Sequence, residues 1–189
     1  MHTLLQKIQQ RRSIFPKDYT GGEIKTADMD QILEAGRWAP THKKTQPWKY
    51  KVVQGDGLQR LGDFMTAQYV KDSGKPESFK SRKLAEKMQQ SSAVILIFMS
   101  RQPKESIPEW EEIAAVSMSV QNMWLTAHDL GYGCYWSSPK SFAKMSDFND
   151  INVDSNDQFL GFLYMGTVDS QPKELPERKS PADFVEFIN

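Results

Sequence analysis

Two short segments carry residue types that could do chemistry. The first is Arg11-Arg12-Ser13. Two guanidinium groups beside a hydroxyl make a compact anion grip, since arginine presents paired N–H donors that match a phosphate. The competing reading is a solvated helix C-terminus, where cations are favourable without any ligand. The second runs from Arg37 to Trp48 as RWAPTHKKTQPW. Its prolines hold a loop of hydrogen-bond donors, and Gln46 and Trp48 could flank a flat polar ring. An ordinary loop with an aromatic anchor would read the same way.

Other patterns carry less. Ser137-x-x-Lys140 matches the nucleophile motif of penicillin-binding proteins, but its partner motifs are absent. Gly131-x-Gly133 lacks the third glycine of a dinucleotide loop and precedes a strand, so it reads as a helix C-cap and turn. His2, His42 and His128 are far apart and fit no zinc pattern. Glu109, Glu111 and Glu112 read as the polar start of a helix, where carboxylates favour the dipole. No residue is assigned as acid, base or nucleophile.

In chain order the sequence holds RRS at 11–13, APTHKKTQPW at 39–48, WEE at 110–112, GYGCYWSSP at 131–139 and GFLYMGT at 161–167. Five motifs in this order resemble the FMN-dependent nitroreductase superfamily, and its short YdjA-like NAD(P)H nitroreductase subgroup most of all. The resemblance spans about residues 4–188. It implies a homodimer with two FMN sites, each built from both subunits, and no catalytic side chain, because the flavin performs the hydride transfer. Carried over by position, Arg11, Arg12 and Ser13 would hold the FMN phosphate and ribityl chain. Trp38 and His42 would reach the flavin from the partner subunit. Gln46 and Pro47 would lie near the ring, and Trp136, Ser137 and Ser138 would line it. The chain would be an NAD(P)H-dependent FMN oxidoreductase, passing two electrons to a nitroaromatic, quinone or similar acceptor in a ping-pong cycle. Two departures stand out. Trp38 and Ser137 occupy positions where the subgroup can carry arginine. Arg178 or Lys179 would compensate for the lost charge, unless both are solvated. The same losses motivate an alternative, a flavin-binding or flavin-storage protein with little turnover.

The elements that must position these residues follow from periodicity. Leu4, Leu5 and Ile8 predict a helix over 3–11, and Met29, Ile32 and Leu33 a second one capped by Thr26. Pro40 ends it. Residues 48–53 alternate as a strand, and Leu58, Leu61, Phe64 and Met65 make a helix. The polar stretch 71–81 reads as an exposed loop or lid, followed by a helix to Gln90. Ala93–Met99 is continuously apolar and of strand length, so it reads as a central strand buried on both faces. Pro108 opens a long helix through Leu130, and Gly131–Trp136 and Phe159–Thr167 supply two more strands. Strands and helices alternate only loosely. The fold class is therefore α+β, a nitroreductase-like sandwich with a central, mainly antiparallel sheet flanked by helices, in one domain over 1–189 with a C-terminal arm from about 168.

Composition bounds the function. The chain has 189 residues, a size that can bury a real core. Its 24 basic and 24 acidic residues cancel, which argues against broad charge-driven binding to nucleic acid or a membrane. One cysteine permits no intrachain disulfide. The longest apolar run, 93–99, is too short to span a bilayer, and the N-terminus lacks a signal-peptide core. The expected compartment is the cytoplasm. Aromatic residues make up 11% of the chain, enough for both a core and a ring-binding site. In the expected dimer, Val116, Val120, Met123 and Trp124, with the apolar tail at 184–188, would bury surface between subunits.

Overall fold

The computed structural model describes residues 3–76, 78–139, 145–172 and 174–188. Lys140, half of the Ser-x-x-Lys pattern, lies outside them, as does His2. The chain forms α1 (Leu4–Gln10), α2 (Thr26–Arg37), β1 (Trp48–Gln54), α3 (Asp56–Ser73), α4 (Phe79–Gln90), β2 (Ala93–Ser100), α5 (Glu109–Asp129), β3 (Tyr132–Ser137) and β4 (Asp157–Thr167). The strands pair in the order β1-β2-β4-β3, every pairing antiparallel.

The apolar run in β2 is explained by its place inside the sheet. Ile95, Ile97 and Met99 face one side, where Ile32 of α2 and Val116, Val120 and Met123 of α5 pack with Leu163 and Met165. Val94, Leu96 and Phe98 face the other, against Leu61 and Met65 of α3, Met88 of α4, and Phe162 and Tyr164. Period-two side-chain alternation thus gives two cores from one strand, in three layers. Among the described residues no helix is long and apolar enough to cross a membrane.

Three local expectations change. The loop expected over 71–81 is shorter, confined between Ser73 and Phe79. Helix α3 continues to Ser73 and ends at Gly74 in the left-handed conformation, while Ser78 caps α4 by accepting the Ser81 N–H. The polar residues 71–73 are tolerated because they lie at the end of an amphipathic helix, away from its buried Leu58, Leu61 and Met65. Thr26 is the first residue of α2 rather than its cap, and Lys25 stands before it without a capping side chain. Finally, Val116, Val120 and Met123 are fully buried within the chain and cannot line a subunit interface.

Candidate functional site

The ten residues anticipated for the cofactor separate into two groups. In the first, chain leaving α1 runs beside the edge strand β3. Ser13 forms a parallel bridge with Cys134, and Ile14 N–H donates to the Cys134 carbonyl at 3.0 Å. This sets Arg11-Arg12-Ser13 alongside the strand that ends in Trp136-Ser137, with Ser138 following it. Three residues of strand rise separate Cys134 from Ser137, about 10 Å. Cys134 itself is buried, and burial pushes its thiol up, so it stays protonated.

Gly161 seats the far end of this strand. Its φ is +139°, and an added Cβ would lie 2.6 Å from both the Ser137 carbonyl oxygen and Trp136 Nε1. Register between β2 and β4 slips beside it, and the Trp136 indole donates to the Leu160 carbonyl at 3.4 Å. A bulge with glycine thus aims Trp136 and Ser137.

At the near end, a cavity of about 340 Å³ is lined by Gln9, Arg11, Arg12, Leu175, Pro176 and Arg178. Arg11 lies over the Trp124 ring, 4.6 Å from its centroid. Partial burial pulls its pKa below the usual arginine range, and the charges of Arg12 and Arg178 add to that. Arg12 donates to the carbonyls of Gln9, Arg11 and Glu174, which ties the end of α1 to the arm. Among the described residues none of these three arginines has a carboxylate within ion-pair distance.

The second group sits at the other end of α5. Trp38 is 72% exposed, and its indole donates to Glu34 at 2.8 Å. His42 Nδ1 lies 2.6 Å from a carboxylate oxygen of Glu111, in the first turn of α5. Gln46 is exposed, and Pro47 is buried at the start of β1 with its carbonyl accepting the Ser100 N–H. From Glu111 to Trp124 the helix rises roughly 20 Å, and β1 and β3 are opposite edges of the sheet, about 14 Å apart. A single chain therefore keeps Trp38 and His42 away from Arg11, Arg12 and Ser13. Trp48, by contrast, packs half-buried against the α2–α5 core.

The acidic start of α5 does more than favour the helix dipole. Glu112 is 1% exposed and pairs with Arg101, while also accepting the Gln102 N–H at 3.1 Å. That clamp fixes the entry to α5 and so the direction of its neighbour Glu111. The consecutive carboxylates of WEE were visible in the sequence, but their partners were not.

Residues 8–167 match the profile of the nitroreductase family. The chain belongs to that family. This makes it a member of a family of oxidoreductase enzymes. A relative from Escherichia coli (strain K12), named "Putative NAD(P)H nitroreductase YdjA", is 23% identical over 160 residues, covering 85% of this chain and 86% of its own length. Among solved structures, the nitroreductase-like family protein from Bacillus cereus superposes with a TM-score of 0.83 at 24% identity, over 100% of this chain and 97% of that one. The FMN and NADPH-dependent nitroreductase NfnB, from a strain described as Sphigopyxis sp. strain HMH, superposes with a TM-score of 0.79 at 15% identity, over 98% and 99%. At these identities the superpositions speak for the fold.

Proposed function

We propose that this nitroreductase-family protein binds FMN and carries two electrons from NAD(P)H to a nitroaromatic, quinone or similar acceptor in a ping-pong cycle. The observation that carries the reading is the cluster of Arg11, Arg12 and Arg178 around one cavity without a carboxylate partner among the described residues. Like charges brought together raise the free energy until an anion joins them. The cofactor's phosphate is such an anion, and the donor set fits it. Arg178 stands in for the charge absent at Ser137.

From that anchor the chain runs along β3 to Trp136, Ser137 and Ser138, which would flank a flat ring (one elongated ligand with a charged end and a planar end suits both places). FMN, when bound, supplies hydride acceptance and donation. The protein binds, orients and excludes water. Trp38, His42 and Gln46 lie too far away within one chain, so they would serve the cofactor of a second copy. The working unit is then a homodimer with sites shared between subunits, acting in the cytoplasm on small molecules.

The test is the visible spectrum of the purified protein. We expect flavin bands, or uptake of added FMN, and their bleaching by NADH or NADPH with return on adding a quinone. A colourless protein that takes up no FMN sinks the reading.

A further inference from the structure

Pro40, Thr41 and His42 face Trp110, Glu111 and Met118 across an open cavity of about 350 Å³. Its apolar wall is unusual for a surface, since Trp110 is 68% and Met118 40% exposed. An exposed indole beside a thioether makes a shelf for a flat ring. The single titratable pair on this wall is His42 and Glu111, Nδ1 to carboxylate oxygen at 2.6 Å.

The backbone holds His42 there under strain. Lys43, Lys44 and Gln46 have φ of 49°, 56° and 47°, in the left-handed region that side chains rarely adopt. The Thr41 hydroxyl accepts the Gln46 N–H at 3.2 Å and meets the Thr45 hydroxyl at 3.1 Å, which closes the loop on itself. Three such departures within four residues persist only where the surroundings dictate them, and such strain gathers at functional sites.

A carboxylate only accepts, so Nδ1 keeps its proton whether His42 is neutral or charged. The other ring nitrogen, Nε2, has no hydrogen-bond partner among the described residues and is the one open to a ligand. Glu112, next along the helix, is spent on Arg101. Glu111 is thus the carboxylate that sets the His42 tautomer.

We propose that Glu111 is a positioning residue for His42, and that the two residues, with Trp110 and Met118, form a subsite for the electron acceptor. The ligand class is a flat aromatic ring carrying an electron-accepting oxygen. This deepens and rests on the FMN reading above. For a quinone the chemistry balances: a hydride from the reduced cofactor of the second copy would supply two electrons and one proton. The Nε2–H of His42 supplies the second proton to the carbonyl oxygen. An O–H bond forms, the Nε2–H bond breaks, Nδ1–H stays on Glu111, and solvent reprotonates Nε2. The products are the hydroquinone and oxidised cofactor.

Two measurements on the full-length protein test this. Nitrogen NMR of labelled histidine should show neutral His42 as the Nδ1–H tautomer in wild type and in Glu111→Gln, and a mixture in Glu111→Ala. An unchanged tautomer in Glu111→Ala overturns the positioning role. In stopped flow, reoxidation of the NAD(P)H-reduced protein by 1,4-naphthoquinone should slow at least about tenfold in Glu111→Ala, with most of the rate restored in Glu111→Gln. Reduction by NAD(P)H consumes no proton and should keep its rate in Glu111→Ala. A reoxidation rate that ignores Glu111→Ala overturns the proposal. If the protein carries no flavin, calorimetry with 1,4-naphthoquinone still decides the subsite. Binding about fivefold weaker in Glu111→Ala supports it, and equal or absent binding overturns it.

Discussion

Guanidinium groups gathered without a carboxylate raise the free energy of a fold unless something negative joins them. Arg11 shows the strain directly, since burial and two like charges depress its pKa. Arg12 is already committed to three backbone carbonyls, so its role is partly to hold the arm in place. Arg178 is the member with the least structural duty. Replacing Arg178 with Ala should therefore weaken FMN retention roughly tenfold, one charge-assisted contact, while thermal stability holds. Replacing Arg11 and Arg12 together should weaken it further. Equal FMN dissociation constants in Arg178→Ala and wild type would remove Arg178 from the site. The pair Arg11-Arg12 is legible from residue type alone. Arg178 was one of two candidates in the arm, and only folding brings it to the same cavity as Arg11.

At the scale of elements, α5 runs between the two groups of candidate residues. Its middle is fixed by a polar chain through the core: the Tyr50 hydroxyl meets the Ser119 hydroxyl at 2.7 Å, and Ser119 donates to the Gly36 carbonyl at 2.8 Å. This links β1, α5 and α2. Gly36 lets the two helices close, since an added Cβ would lie 2.9 Å from Met123 Cγ. Ser119→Ala strips the Gly36 carbonyl and the Tyr50 hydroxyl of their shared partner in a buried place. It should cost about 1–3 kcal/mol in urea unfolding. A change within about 0.5 kcal/mol, typical of a surface site, would show that the chain of hydrogen bonds is not structural. Periodicity made α5 and β2 readable over their whole lengths, because apolar spacing reports burial directly. It missed the ends of 71–81, where local polarity mimicked a loop at 71–73 and helix propagation from the buried Leu61 and Met65 won.

The whole molecule carries apolar surface that one chain leaves open. Helix α1 buries none of its seven residues, although Leu4, Leu5 and Ile8 share its face. In the arm, Phe184, Phe187 and Ile188 are 69%, 85% and 92% exposed. A seven-residue helix is marginal by itself, and a contiguous apolar patch marks an interaction surface. Trp38 and Trp110 are exposed as well, at the other end of α5, and the homodimer proposed above would cover such surface. Light scattering should give twice the chain mass of 21.7 kDa. Truncation after Asp183 should shift the protein toward monomer on dilution and release FMN with it. A wild-type monomer at high concentration, or a truncated chain that stays dimeric and yellow, would contradict this.

Residue order was enough for the strands and helices whose burial is periodic, the central β2, the family, and the cationic segment at 11–13. These depend on residue type and short-range spacing, which a linear chain displays. Only the tertiary structure decided which faces meet. Glu111 and His42 are 69 positions apart, and nothing local marks one as the other's partner. Val116, Val120 and Met123 looked available to a partner subunit, yet the sheet and α2 consume them, and the apolar surface left open lies on α1 and the arm instead. Pairing across long separations is set by how layers stack, and that is a property of the folded chain.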